Sequence, residues 1–316
     1  QTARSSSGQF ATLSNTASIE TPQHQASQTV ARPRLTLTPR ARDTQTRPQT
    51  RPTRTLPPAV ATRRALQSVA LSDIPYCVTD QGVSLLLDIY LPRQTESPAP
   101  VVMYVHGGGW TGGDKSEGAG IQYRPELLSR GYIFVTINYR LAPEYIFPAQ
   151  IEDVLCAVRF LRANAGQYGI DPERIGAIGG SAGGHLVSLL GTVGEDIPWR
   201  KLPYEDRYDD QSSLVQAVVD LFGPADLTTL FPQADGRQPW RLFGGSSIDD
   251  PVFALYSPVT YSSTDDPPFL ILHGDKDATV PLAQSQALYD SLSDVYFPVE
   301  LVVVNNAGNV FRPDGG

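Results

Sequence analysis

The 316-residue chain has only two cysteines, four histidines and no run approaching 18 consecutive apolar residues. A transmembrane helix needs about 20 such residues, so none is expected. One cysteine pair is no disulfide framework, and a chain of this size does not need one to hold a core together. Cys77 and Cys156 therefore read as free buried thiols. Lysine is absent from residues 1–66, which hold ten arginines and, as acids, only Glu20 and Asp43. The rest of the chain holds 15 basic and 31 acidic residues. A basic arm thus precedes an acidic body, and the body's charge argues against nucleic-acid binding.

The arm is written in Ser, Thr, Gln, Pro and Arg, as in TRPQTRPTRTLPP. Its apolar surface is too small to offset the entropy of ordering, so residues 1–66 are expected to be disordered. The chain opens on Gln1 rather than Met. A linker behind a removed secretory signal is the first expectation and puts the protein outside the cell or in the periplasm; an Arg-rich organellar transit segment, or a cytoplasmic origin, is the second.

From residue 67 the composition becomes that of one large globular domain, with a chain long enough to bury about three-quarters of its unfolded surface. Short β-branched runs alternate with amphipathic stretches, the rhythm of an α/β fold with a mostly parallel sheet. Strands are predicted over residues 83–90, 101–106, 132–138, 174–178, 215–222, 269–273 and 299–304. The clearest helix is 149–164, where Ile151, Val154, Leu155, Val158 and Leu161 recur at three- and four-residue spacing. The last strand, VELVVV, is apolar on both faces and wants cover on each. Few residues follow it, so the helix that normally closes such a layer is expected to be missing, as in an incomplete chain.

Three segments carry chemistry. GGSAGG at residues 179–184 sets GxSxG between a predicted strand and a predicted helix. Glycines flanking Ser181 there permit the sharp turn of a nucleophile elbow, which lifts the serine oxygen above the sheet. Upstream, a strand runs into HGGGW at residues 106–110, where the N–H groups of Gly108 and Gly109, with that of Ala182, can approach a developing oxyanion. Gly107, Gly109 and Gly112 also spell the dinucleotide fingerprint GxGxxG, but the next strand ends in Asn138 where a ribose-binding carboxylate belongs. The third segment, FLILHGDKDATVP at residues 269–281, ends a strand in a loop with Asp275 and Asp277. A carboxylate so placed orients and stabilises an imidazolium; the bland alternative is a pair of solvated loop acids. Trp110, Tyr145, Phe147 and Trp240 are candidates for a pocket wall or for the core.

In order, HGGGWTGGDK, INYRLAPE, FPAQIEDV, GGSAGGHL, LFGPADL, SPVTY and PPFLILHGDKDATVPLAQS resemble the bacterial acetyl-esterase and feruloyl-esterase-like branch of the α/β-hydrolases, near the hormone-sensitive-lipase group. The resemblance spans about residues 70–316. It implies an eight-stranded, mostly parallel sheet with helices on both faces, neither cofactor nor metal, and a small-molecule ester of a simple alcohol or sugar as substrate. It assigns Ser181 the nucleophile's place, Asp277 the acid's, and Gly108, Gly109 and Ala182 the oxyanion donors. His106, Tyr139, Arg140, Asp153 and Asp275 then look structural.

The departure is NNAGNVF at residues 305–311, where the resembled family reads NAGH, a small residue and Phe. Asn309 stands where histidine is expected. The histidines are His24, His106, His185 and His273, and none follows Asp277. His24 lies in the arm, and His185 should pack along the elbow helix. His273 belongs to a strand two positions from the nucleophile strand, about 10 Å away at ~4.8 Å per step and beyond hydrogen-bond reach. An asparagine amide has no basic lone pair at neutral pH, so general-base catalysis should fail. The readings left open are an esterase by descent, a ligand-binding protein that kept the pocket without turnover, and an altered or incomplete chain of an active esterase.

Overall fold

The computed structural model describes residues 69–79, 81–93, 98–195, 197–199, 208–231, 239–247, 249–295 and 298–309. The arm and residues 310–316 lie outside these, and with them the expectations of a disordered segment and of a missing closing helix. Contacts separate residues 1–61 from 62–316, and the description concerns the second unit.

Its eight strands are β1 (Val69–Val78), β2 (Ser84–Leu91), β3 (Ala99–Val105), β4 (Ile133–Ile137), β5 (Ile170–Gly180), β6 (Ala217–Leu221), β7 (Phe269–Gly274) and β8 (Val299–Val304). They form one sheet in the order β1-β2-β4-β3-β5-β6-β7-β8. The pairs β1/β2 and β2/β4 are antiparallel, and every later pair is parallel. Parallel neighbours require crossovers, which the helices supply: α1 (Arg124–Ser129), α2 (Ala149–Ala163), α3 (Ala165–Tyr168), α4 (Ala182–Thr192), α5 (Leu227–Leu230), α6 (Val252–Leu255) and α7 (Leu282–Asp294).

Alternation along the strands divides the core between the two sheet faces. On β3, Val101, Met103 and Val105 join the larger cluster, while Tyr104 joins a smaller one with Phe134, Ile178, Leu221 and Phe222. All seven predicted strands are present, with ends displaced by a few residues. The pattern does not single out β1, because VALSDIPYCV carries Pro75 mid-run and register shifts on either side of it break the alternation. An edge strand tolerates both. At the opposite edge, β8 leaves Val302 and Val303 exposed.

Helix α2 buries the predicted apolar stripe completely, and its other face is buried too. The two carboxylates on that face are paired, while Gln150 Oε1 and Arg159 Nε have no hydrogen-bond partner among the described residues. Trp199 Nε1 donates to Glu152 Oε1 at 2.8 Å. Arg140 donates from Nη2 to Asp153 Oδ1 at 2.6 Å and from its backbone N–H to Oδ2 at 2.7 Å.

The expectation of free thiols is corrected: Cys77 on β1 and Cys156 on α2 form a disulfide, with Cα atoms 6.5 Å apart. Packing of the edge strand against α2 brings together residues 79 positions apart, which nothing in the local sequence reveals. Closing so long a loop removes unfolded-state entropy worth about 4 kcal/mol. Replacing both residues (Cys77→Ser with Cys156→Ser) should lower stability by roughly 2–5 kcal/mol in denaturant titration. An unchanged midpoint, or two thiols titrating in the oxidised native protein, would contradict the link.

Candidate active site

Strand β5 ends at Gly180 and α4 starts at Ala182, leaving Ser181 alone at the turn. Its φ of 55° and ψ of −121° are costly for a residue with a side chain. Two bonds hold the conformation: Ser181 N–H donates to Leu221 O on β6 at 2.9 Å, and His185 N–H donates to Ser181 O at 3.0 Å. The helix presses so closely on β3 that a Cβ at Gly183 would lie 2.2 Å from the Val105 carbonyl oxygen. The two glycines of GxSxG, Gly179 and Gly183, are thus required by contact.

The loop after β3 approaches the same point. Gly108, with φ of 113°, opens a tight turn in which the N–H groups of Thr111 and Gly112 donate to its carbonyl at 3.2 and 3.1 Å. Among the described residues, no acceptor takes the N–H of Gly108 or Gly109. Ala182 opens α4, so its N–H is one of the orphan donors of a helix start. Asn138, where the dinucleotide reading wanted an acid, holds this loop in place: its Oδ1 accepts the Lys115 N–H at 2.6 Å and its Nδ2 donates to Asp114 Oδ2 at 2.9 Å.

Asp277 follows β7, its carboxylate buried. Oδ1 accepts the N–H groups of Thr279 and Val280 at 2.8 and 2.9 Å. Oδ2 accepts Asn309 Nδ2 at 2.6 Å. Asp275 is not part of this arrangement; its Oδ1 accepts the Asn306 N–H at 2.6 Å and fixes the turn after β8.

Of the described histidines, His185 and His273 have both ring nitrogens engaged, while His106 has no hydrogen-bond partner at Nε2 among the described residues. Trp110 Nε1 donates to His185 Nδ1 at 3.2 Å, so the proton of His185 sits on Nε2 and is donated to Tyr256 O at 2.8 Å. Burial lowers its pKa to about 4, against the opposing effect of the Tyr256 bond. His273 Nε2 donates to Val280 O at 2.8 Å, which leaves Nδ1 to accept from Ser285 Oγ at 2.6 Å. It is also 3.5 Å from Asp277 Oδ2, yet β7 is separated from β5 by β6. His106 donates from Nδ1 to Gly107 O at 2.7 Å and stacks on Tyr139, with ring centroids 4.2 Å apart. Burial lowers its pKa as well.

A cleft of about 410 Å³ gathers Gly108, Gly109, Ser181, Thr279 and Asn309 on its walls. Of the aromatic candidates, Trp110 and Phe147 are buried in the core around His185 and Phe243, and neither Tyr145 nor Trp240 lines the cleft. The aromatic that does is Phe222, just beyond β6 with φ of 49°. In sequence it reads only as the last residue of an apolar strand.

A serine on a strained strand-to-helix turn, over a sheet whose first strands run antiparallel and whose remainder is parallel, is the arrangement of the α/β-hydrolase fold. Within that fold the chain belongs to the BD-FAE family, whose model matches residues 87–292. It is similar to Esterase LipQ of Mycobacterium tuberculosis, 35% identical over 71% of this chain and 52% of LipQ. Probable carboxylic ester hydrolase LipM of the same organism is 36% identical over 62% of this chain and 46% of LipM. The chain spans about half the length of these relatives. A truncated carbohydrate esterase from gut microbiota superposes with a TM-score of 0.67 at 30% identity, covering 77% of this chain and 89% of that one. Thermogutta terrifontis esterase Est2 superposes with a TM-score of 0.64 at 26% identity, covering 78% and 86%.

Sequence reasoning passed over Asp220, the register partner of Gly179 just before the elbow. It is fully buried; Oδ1 accepts the Gly223 N–H at 2.8 Å, and the Ser188 hydroxyl lies close but outside hydrogen-bond geometry. Burial pushes its pKa up to about 7, the Gly223 bond opposing. An unfolded aspartate ionises near pH ~3.9. Between that value and pH 7 the folded chain therefore keeps a proton that the unfolded chain has lost, and stability falls as pH rises through the window. Asp220→Asn retains an acceptor for Gly223 and removes the titration. Its stability relative to the parent should rise through that window and level off above it, in denaturation measured across a pH series. A pH-independent difference would show that Asp220 is ionised throughout.

Proposed function

We propose that the cleft is built for carboxylic-ester hydrolysis through an acyl-enzyme, and that Asn309 stands in the place of its general base. Ser181 is the nucleophile, Gly108, Gly109 and Ala182 donate to the oxyanion of the tetrahedral intermediate, and Asp277 is the acid. The bond from Asn309 Nδ2 to Asp277 Oδ2 carries this reading. The Nδ1–H of a histidine would make the same donor contact to the same carboxylate and turn its second nitrogen to the serine. Asparagine offers a carbonyl oxygen instead, which takes no proton at neutral pH. Small acyl or sugar esters suit a cleft of about 410 Å³, and the likeness to a carbohydrate esterase supports that class.

A second reading, a ligand-binding protein with an ester pocket and little turnover, is favoured by one observation. Both ring nitrogens of His185 and of His273 are occupied, so neither can replace the missing base. The Cys77–Cys156 disulfide supports an extracellular or periplasmic location, because such bonds persist in oxidising compartments.

Asn309→His should raise hydrolysis of p-nitrophenyl acetate by about a thousand-fold or more, and Ser181→Ala should abolish the gain. Equal activity in both chains, still dependent on Ser181, would give the base's role to another group. A folded Asn309→His chain that reacts with a phosphonate ester at Ser181 yet does not turn over favours the ligand-binding reading.

A further inference from the structure

We infer that the cleft selects esters by charge, accepting neutral and cationic ones and turning away those that carry a carboxylate or phosphate. The inference rests on the ester-binding reading of the cleft and narrows its substrate class.

Among the described residues that line the cleft, the ionisable side chains are His106, Asp114 and Glu117, and none is Lys or Arg. The loop between Gly113 and Gly118 does contain a cation, but it is turned away. Lys115 Nζ lies 3.0 Å from Asp73 Oδ1 and 3.1 Å from Asp88 Oδ1, with its side chain only 11% exposed. Asn138 makes this arrangement reciprocal: it accepts the Lys115 N–H and donates to the Asp114 carboxylate, so the loop is pinned with its cation inward and Asp114 on the cleft wall. Bonds from Ser116 and Asn138 hold the Asp114 pKa down to about 2, against the effect of burial.

Glu117 is exposed at the same wall, and no described residue forms an ion pair with it. Its backbone is fixed, because Tyr104 Oη donates to its carbonyl at 2.8 Å. His106 adds no compensating charge, since burial lowers its pKa and Asp114 and Glu117 only partly oppose that effect. Asn309, which also lines the cleft, is neutral at every pH of interest, so no imidazolium forms there to offset the Asp277 carboxylate it is bonded to. The loop's hydrogen bonds and the asparagine therefore act in the same direction. An anionic group entering the cleft meets like charge on its walls in partly desolvated surroundings, enough to weaken binding about ten-fold or more.

The test is isothermal titration of the full chain carrying Ser181→Ala, so that no ligand is consumed. The probes are three methyl esters of similar length, whose methoxide is too poor a leaving group for self-cleavage: pentanoate, hemisuccinate and 4-(trimethylammonio)butanoate. At low ionic strength the hemisuccinate should bind about ten-fold or more weaker than the pentanoate, the cationic ester at least as tightly as the pentanoate, and the gap should narrow in high salt. Glu117→Lys replaces an exposed side chain and should bring the hemisuccinate at least about three-fold closer to the pentanoate. Equal affinities for the anionic and neutral esters, unmoved by salt and by Glu117→Lys, would overturn charge selection while leaving the ester reading intact. If the pentanoate fails to bind a chain that circular dichroism shows to be folded, the ester reading is removed, and this inference with it.

Discussion

The Asp277 carboxylate joins the two loops from which the candidate site is assembled. One oxygen takes two backbone amides and so shapes the turn after β7, while the other takes the Asn309 side chain and draws the loop after β8 into the cleft. A buried carboxylate needs such partners, because an unmet charge in partly dry surroundings costs more than any single contact returns. The rest of the site is rigid without it: the serine turn is held by β6, and the glycine loop is closed on itself. On the proposed reading, Asp277 is where a proton carrier would be attached to this frame, and an amide that takes up no proton at neutral pH is attached instead.

On the proposed reading, the asparagine leaves the binding parts of the site in place and removes one chemical step. Free amides at Gly108 and Gly109, the helix start at Ala182 and the strained serine do not depend on residue 309 for their geometry. What changes is the charge cycle. A histidine would gain a positive charge as the serine loses its proton, and Asp277 would stabilise that charge. With Asn309 no such positive charge can form beside Asp277, and the contact is a hydrogen bond alone.

Much of this was legible in the sequence because the decisive signals are local. A serine between glycines at a strand-to-helix junction needs the sharp turn wherever it occurs, and the stripe at Ile151, Val154, Leu155, Val158 and Leu161 marks a buried helix face by its period alone. The expectation that Asn309 stands in a histidine's position rests on motif order. What escaped depends on tertiary approach. Cys77 and Cys156 meet only because an edge strand lies against α2. The burial of the polar face of α2 is not given by its period and comes with the pairing of Glu152 to Trp199 and of Asp153 to Arg140. Lys115 looks like a cation beside the glycine loop, and only the fold shows it turned into Asp73 and Asp88. Phe222 and Asp220 lie within an ordinary apolar strand sequence, and their places at the cleft wall and beneath the elbow follow from strand order.

The most direct test of Asp277 as the anchor of the base position is proton NMR of the Asn309→His chain. An imidazole whose Nδ1–H donates to a buried carboxylate forms a short, charge-assisted bond and gives a strongly downfield-shifted proton. The account predicts such a resonance in Asn309→His, its absence from the parent chain, and its loss when Asp277→Asn is added. A resonance that survives Asp277→Asn, or none at all in the folded Asn309→His chain, would contradict it.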